Sequence, residues 1–271
     1  MLRGWLARWI GRRESHARAP WEQGPSAGDR PVEAPVGAEL PEGLRIYAIG
    51  DVHGRADLLA AKFAEIDADL ASRPVERAVE ILLGDYVDRG PRAREVIDLI
   101  LARQRNGRLA ALAGNHEELF LRFLDGEAPL HHWRELGGAE TLLSYGIGAP
   151  RHLGSPEEEA SLRQRCRDAV PAEHVTFLRK LPTHCEIGGY FFVHAGVRPQ
   201  VPLQEQSLED MLWIRNEFLA WNGSFGRIVV HGHTPVSRPE VRSNRINLDT
   251  GAYITGVLTC LVLEGSHIRF L

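Results

Sequence analysis

From Arg45 onward, short continuous apolar runs alternate with segments of helical periodicity. RIYAIG (45–50), AVEILLG (78–84) and RLAALAG (108–114) read as buried strands. The stretches from about Ala56 to Leu70, REVIDLILARQ (94–104) and Glu117 to Leu124 read as helices. Each of these strands ends in a loop rich in Gly, Asp and His, the arrangement in which ligands sit at the carboxyl ends of strands. From about Pro129 to Lys180 the chain reads as mostly helical. Strand-like runs return in YFFVHAG (190–196), RIVVHGH (227–233), RINLDTGA (245–252) and VLTCLVLEG (257–265), and HIRFL closes the chain. No internal repeat is visible. The pattern predicts an α/β architecture: two β-sheets packed face to face as a central sandwich, helices outside, and one site at a common strand edge.

The first residues break this pattern. In MLRGWLARWIGRR (1–13), Leu2, Trp5, Leu6, Trp9 and Ile10 form one helical stripe, with Arg3, Arg8, Arg12 and Arg13 mostly off it. Such a segment suits an interfacial anchor on anionic lipid, hence peripheral membrane contact. An isolated helix this short is marginal, so docking on the chain's own domain is the alternative. Residues 14–43, rich in Pro, Gly, Ala and Glu without periodicity, read as a linker, leaving 44–271 as the catalytic domain.

Bulk properties narrow the function classes. A net charge of −4 and a pI near 6.3 provide no global basic field for a polyanion, so no nucleic-acid partner is expected. Cys166, Cys185 and Cys260 have no CxxC spacing and read as neither a disulfide framework nor a zinc site. No apolar stretch approaches the length that spans a bilayer, and the N-terminus lacks a signal-type apolar core, so a cytoplasmic or membrane-peripheral location is expected.

The candidate chemistry lies in the strand-end loops: GDVHG (50–54), GDYVDRG (84–90), GNHE (114–117), VHAG (193–196) and HGHTP (231–235). Hydrolysing a phosphate ester near neutral pH needs a nucleophile stronger than water and cover for negative charge. Two metals about 3.5–4 Å apart supply both. Aspartate, histidine and asparagine without a thiolate suit a catalytic pair of manganese, iron or zinc ions.

These motifs, in this order, resemble the metallophosphoesterase superfamily, and within it the bacterial and phage branch of the phosphoprotein phosphatases, over roughly residues 45–264. The resemblance implies two divalent ions, Mn²⁺ foremost with Fe or Zn as alternatives. Asp51 and His53 would bind the first metal, Asp85 would bridge both, and Asn115, His194 and His233 would complete the second. His116 would protonate the leaving oxygen, and Asp88 would hold His116. Arg89 would clamp phosphate oxygens in a bidentate way, with Arg215 of LWIRNE as a second clamp and Asn115 also within reach of phosphate. His231 is either a supporting residue or weak ligand, or a histidine at a strand end. Asp249 is either a supporting residue or a simple turn former. FLDGE, Trp133, Gly137-Gly138 and TLLSYG (141–146) resemble a segment of phage-like members and are expected to be peripheral, shaping access without contributing a catalytic group.

The implied activity is hydrolysis of phosphate monoesters by a metal-bridging hydroxide, on phosphoserine or phosphothreonine of a phosphoprotein or phosphopeptide. The absent second histidine after Gly-His-x, where Pro235 stands, matches this branch rather than the nucleases. A dinucleoside polyphosphate hydrolase of the diadenosine tetraphosphatase type is the alternative; GDVHG and GNHE favour the phosphatase. A catalytically silent binding protein is the third reading, opposed by the intact ligand set.

Overall fold

The structure, a computed structural model, describes residues 32–33, 38–148, 150 and 155–271. The amphipathic segment 1–13 and most of the expected linker 14–43 lie outside the described residues. Among the described residues, no helix is long and apolar enough to cross a membrane.

The elements run β1 (Val32–Glu33), β2 (Leu44–Ile49), α1 (Ala56–Ser72), β3 (Arg77–Leu82), α2 (Ala93–Gln104), β4 (Leu109–Ala111) and α3 (Asn115–Asp125). A helical stretch follows: α4 (Leu130–Glu135), α5 (Gly138–Ser144), α6 (Pro156–Ala169) and α7 (Ala172–Arg179). Then come β5 (His184–Ile187), β6 (Tyr190–Val193), a 3₁₀ turn at Leu203–Glu205, α8 (Leu208–Trp213) and α9 (Asn216–Leu219). The chain ends with β7 (Ile228–His231), β8 (Glu240–Val241), β9 (Arg245–Asn247), α10 (Ala252–Thr255), β10 (Cys260–Glu264) and β11 (His267–Phe270).

Among the described residues there are two sheets, ordered β1-β11-β10-β2-β3-β4 and β5-β6-β7-β9-β8. Side-chain alternation along the strands explains why they read as continuous apolar runs: both faces are covered. In β2, Ile46 and Ala48 face the core between the sheets while Tyr47 and Ile49 face the helices. In β6, Tyr190 and Phe192 enter the same inter-sheet core, whereas Phe191 and Val193 pack outward on Met211, Ile214 and Phe218. Each fully buried side chain of this size contributes about 1.5–3 kcal/mol, so the sandwich is held by apolar contact from both directions.

Two boundaries differ from expectation. The described part of residues 14–43 extends the fold, because Val32 pairs with Ile268 of β11 and Ala38 and Leu40 are buried in the inter-sheet core. Helix α3 begins at Asn115 rather than Glu117. That shift puts Asn115 and His116 in its first turn, at the mouth of the site. In the helical middle, α6 starts where Ser155 Oγ accepts from the Glu158 amide at 3.3 Å, with Pro156 and three glutamates in the first turn.

Candidate active site

Two parallel triplets, β2-β3-β4 and β6-β7-β9, send their C-terminal loops toward each other across the sandwich. The His233 amide donates to Asp51 Oδ2 at 3.0 Å, and His194 Nδ1 donates to the Leu83 carbonyl at 3.0 Å. These bonds join loops of different sheets and bring all six expected metal ligands together. At Gly232 the approach is so close that a Cβ would lie 2.0 Å from Asp51 Oδ1.

Asp85 occupies the centre. Its Oδ2 lies 3.4 Å from His53 Nε2, and its Oδ1 lies 3.4 Å from His194 Nε2. Among the described residues, His53, Asp85 and His116 form one group of potential ligand atoms within 4.8 Å of one another, and Asp85, His194 and His233 form another. Asp85 belongs to both, which is the position of a bridge. His53 Nδ1 donates to the Val87 carbonyl at 2.9 Å, as His194 does to Leu83, so each Nε2 keeps its lone pair toward Asp85. His194 Nε2, His233 Nδ1 and Asn115 Oδ1 converge, separated by 2.9, 2.9 and 3.1 Å.

The residues fit a pair of divalent cations. Asp51 Oδ1 is buried without a hydrogen-bond partner, an arrangement that is costly unless a cation meets it. Burial pushes His53, His194 and His233 below the ordinary histidine range, keeping them neutral as ligands must be. Burial, reinforced by the charges of Asp249 and Asp85, pushes Asp51 well above the carboxylate range. Burial also opposes ionisation of Asp85, but the surrounding His194, His116, His53 and His233 hold it below that range.

His116 lies near enough to Asp85 to be grouped with the ligands, at 3.7 Å, yet its own contacts argue otherwise. Its Nδ1 is 2.7 Å from Asp88 Oδ2 and its Nε2 is 3.2 Å from Arg89 Nη2. A guanidinium at that nitrogen repels a metal and favours an anion. Burial lowers the His116 pKa, but Asp85 and the hydrogen bond to Asp88 outweigh it and the net shift is upward. Arg89 lies over the Tyr253 ring at 4.8 Å, and the same ring meets His53 edge-on at 5.3 Å. Arg215 stands exposed at the rim, 3.4 Å from Thr234 Oγ1.

The backbone of the site is strained. His53, Asp85, Asp88, Arg89 and His233 all have positive φ, from 43° to 68°. Each such residue costs on the order of 1–3 kcal/mol and persists only where its surroundings over-determine it.

Several supporting residues escaped the sequence reading. Buried Glu117 accepts four backbone N–H bonds: Asp85 and Gly114 at Oε2 (2.8 and 2.9 Å), Tyr86 and Val87 at Oε1 (2.7 and 3.2 Å). It sits three residues after the N-cap Gly114, as the glutamate of a capping box does, but glycine in place of Ser or Thr withholds the sequence signature. Trp133 and Thr141, expected to be peripheral, donate to the Asp88 carboxylate. Tyr253 carried no signal, because the turn that brings it over His53 is not encoded in a motif.

His231 lies apart from the ligands. Strand β7 ends there and His233 has a φ of 65°, so strand alternation does not put the two side chains on one face. His231 meets Phe218 edge-on at 4.8 Å on the outer face of the second sheet, and burial pushes its pKa down to about 3. Asp249 acts as a turn former, its Oδ1 accepting from the Gly251 amide at 2.9 Å, and its nearby charge helps raise the Asp51 pKa.

Fold and site together define a metal-dependent hydrolase. The chain belongs to the calcineurin-like phosphoesterase family, whose sequence model matches residues 44–256. When bound, the metals supply positive charge to phosphoryl oxygens and lower the pKa of water. Among curated relatives, the bis(5'-nucleosyl)-tetraphosphatase PrpE (asymmetrical) of Anoxybacillus flavithermus is 25% identical over 235 residues, covering 79% of this chain and 88% of that one. PrpE of Bacillus subtilis is 26% identical over 231 residues, covering 78% and 87%. Among solved structures, a provisionally assigned diadenosine tetraphosphatase aligns with a TM-score of 0.57 and 20% identity over 88% of this chain and 95% of its own. The cold-active protein-tyrosine phosphatase of a Shewanella species gives 0.54 and 17%, over 86% and 80%. At such identities the structural likeness speaks for the fold alone. The names of the curated relatives favour the dinucleoside alternative over the phosphoserine and phosphothreonine preference expected from GDVHG and GNHE.

Proposed function

We propose that this phosphoesterase hydrolyses dinucleoside polyphosphates, cleaving a tetraphosphate bridge asymmetrically into a nucleoside triphosphate and a nucleoside monophosphate. The observation that carries this reading is the likeness to asymmetrical tetraphosphatases across about four-fifths of this chain. Asp51, His53 and Asp85 hold one metal; Asp85, Asn115, His194 and His233 hold the other; Mn²⁺ suits this mixed set. Arg89, Arg215 and Asn115 meet phosphate oxygens, the arginines giving planar, charge-assisted contacts. The oxygen of water bonds to phosphorus and gives up a proton to solvent, the bridging P–O bond breaks, and the departing oxygen takes a proton from His116 Nε2, which solvent then reprotonates. Asp88 orients that imidazole through Nδ1.

A second reading, hydrolysis of phosphomonoesters including phosphoserine and phosphothreonine, draws on one observation: the His116–Asp88 pair at 2.7 Å. A serine alkoxide, the more basic oxygen, depends on that proton far more heavily than a departing nucleotide does. The test uses metal-stripped protein with Mn²⁺ restored, offered diadenosine tetraphosphate, a phosphoserine peptide and p-nitrophenyl phosphate, with Asp85→Asn as control. Preferential release of ATP and AMP, lost in Asp85→Asn, is expected. Preferential, Asp85-dependent turnover of the peptide would transfer the assignment to the second reading.

A further inference from the structure

The α4–α5 hairpin was expected to be peripheral and to shape access, yet it grips the His116–Asp88 pair from both sides. Asp88 is fully buried and left-handed at φ 68°, so neither solvent nor backbone preference keeps its carboxylate in place. The holding contacts come from the hairpin. Trp133 Nε1, on α4, donates to Oδ2 at 3.0 Å and Oδ1 at 3.1 Å; Thr141 Oγ1, on α5, donates to Oδ1 at 2.6 Å. The same Thr141 oxygen accepts from the Asp88 amide at 2.8 Å. One hydroxyl therefore ties the carboxylate to its own backbone. Next in sequence, the Arg89 amide donates to the Gly137 carbonyl at 3.1 Å. Gly137 joins the two helices with φ 103°, and a Cβ there would lie 2.7 Å from the Arg89 nitrogen.

The other side of the grip is aromatic. The Trp133 ring stacks on Phe120 with centroids 5.0 Å apart and lies 4.8 Å from Phe123. Both phenylalanines belong to α3, whose first turn carries Asn115 and His116. Trp133 thus touches the helix that bears the imidazole with its face and the carboxylate that aims the imidazole with its N–H.

We infer that the α4–α5 hairpin is the positioning device of the proton donor, with Thr141 and Trp133 as positioning residues that fix the aim of His116 at the departing oxygen. The inference rests on the proton-donor role proposed for His116, and holds for either substrate reading. It predicts a loss confined to substrates that need the proton. A misaimed acid forfeits part of the ~10²–10⁴-fold that positioned proton transfer contributes, without weakening substrate binding.

The test compares wild type, Thr141→Val, Thr141→Ser, Trp133→Phe and His116→Asn, each loaded with Mn²⁺ and matched for metal content. Phenyl phosphate, a poor leaving group, is set against p-nitrophenyl phosphate, an activated one, with diadenosine tetraphosphate alongside. Thr141→Val is expected to lower kcat for phenyl phosphate by about 10–100-fold, and by no more than about threefold for p-nitrophenyl phosphate, with KM unchanged for both. Thr141→Ser, which keeps the hydroxyl, should restore phenyl phosphate turnover to within about threefold of wild type. Trp133→Phe, which keeps the ring packing and removes the N–H, should show the same selective loss in milder form. Equal losses on both esters, or failure of serine to rescue, would reduce the hairpin to a packing element and overturn the inference. If His116→Asn itself shows no dependence on the leaving group, the proton-donor role fails first, and the two failures are told apart.

Discussion

Replacing Glu117 by glutamine is the sharpest probe of how the site is built. The carboxylate accepts two backbone N–H bonds at each oxygen, at 2.7–3.2 Å, and so folds the 84–87 loop around Asp85. Whichever way a glutamine amide turns, its NH₂ faces two of these donors, so two bonds are lost and two N–H groups are left without an acceptor. Hydrogen bonds to a charged group contribute about 1.5–3 kcal/mol each, giving a gross loss of about 3–6 kcal/mol. A neutral amide, however, escapes the cost of burying charge. Burial, helped by Asp85, pushes the Glu117 pKa from 4.5 up to about 7, equivalent to ~3 kcal/mol. The net loss should be no more than about 3 kcal/mol in urea unfolding at pH 7.5 in EDTA, with an unchanged denaturant slope. Because the lost bonds hold a bridging ligand, Mn²⁺ affinity should fall by about 10–100-fold, the range for support of metal ligands. Wild-type Mn²⁺ affinity in the variant would refute the argument that this carboxylate sets the loop.

Other expectations concern single contacts. Gly232→Ala would place a Cβ 2.0 Å from Asp51 Oδ1, so elemental analysis should find metal binding impaired and turnover lost while circular dichroism still reports a folded chain. His231→Leu should retain metal and activity. Buried His231 stays neutral in the fold down to about pH 3, whereas the unfolded chain takes up the proton near pH 6.5. The wild type therefore loses stability at this residue as pH falls below about 6.5, and urea unfolding at pH 7, 5.5 and 4.5 should shift progressively in favour of the variant. Arg89→Lys removes the planar fork and the contact over Tyr253 at 4.8 Å; steady-state kinetics should show kcat/KM reduced by about 10–100-fold, with metal content unchanged.

The sandwich was legible because its strands are buried on both faces, and an apolar run such as YFFV records that directly. The six candidate ligands were legible as a set because each follows such a run in a short polar loop. What the sequence concealed depends on long-range approach or on backbone turns. Nothing local to Trp133 or Thr141 indicates that their donors reach Asp88, 45 and 53 positions away. Of the two readings left open for His231 the strand-end one holds: spacing implies a face shared with His233 only while a strand continues, and here it stops at His231. The short strand β8 and the helices α8 to α10 span two to six residues, too few for a period to appear.

The division of the ligands between two sheets has a consequence for the order in which a cell makes this enzyme. Asn115 and His194, neighbours in space, are 79 positions apart in the chain. At about 5–20 residues per second, a ribosome needs roughly 4–16 s to travel from one to the other. During that interval the nascent chain carries Asp51, His53, Asp85 and Asn115 as an open half-cage, and His233 follows later still. By the proposed assignment the second metal's ligands are complete only once His194 and His233 have been made. A chain truncated before His233 would lack part of the second metal's proposed ligand set, so by that assignment hydrolytic competence depends on the last third of the sequence.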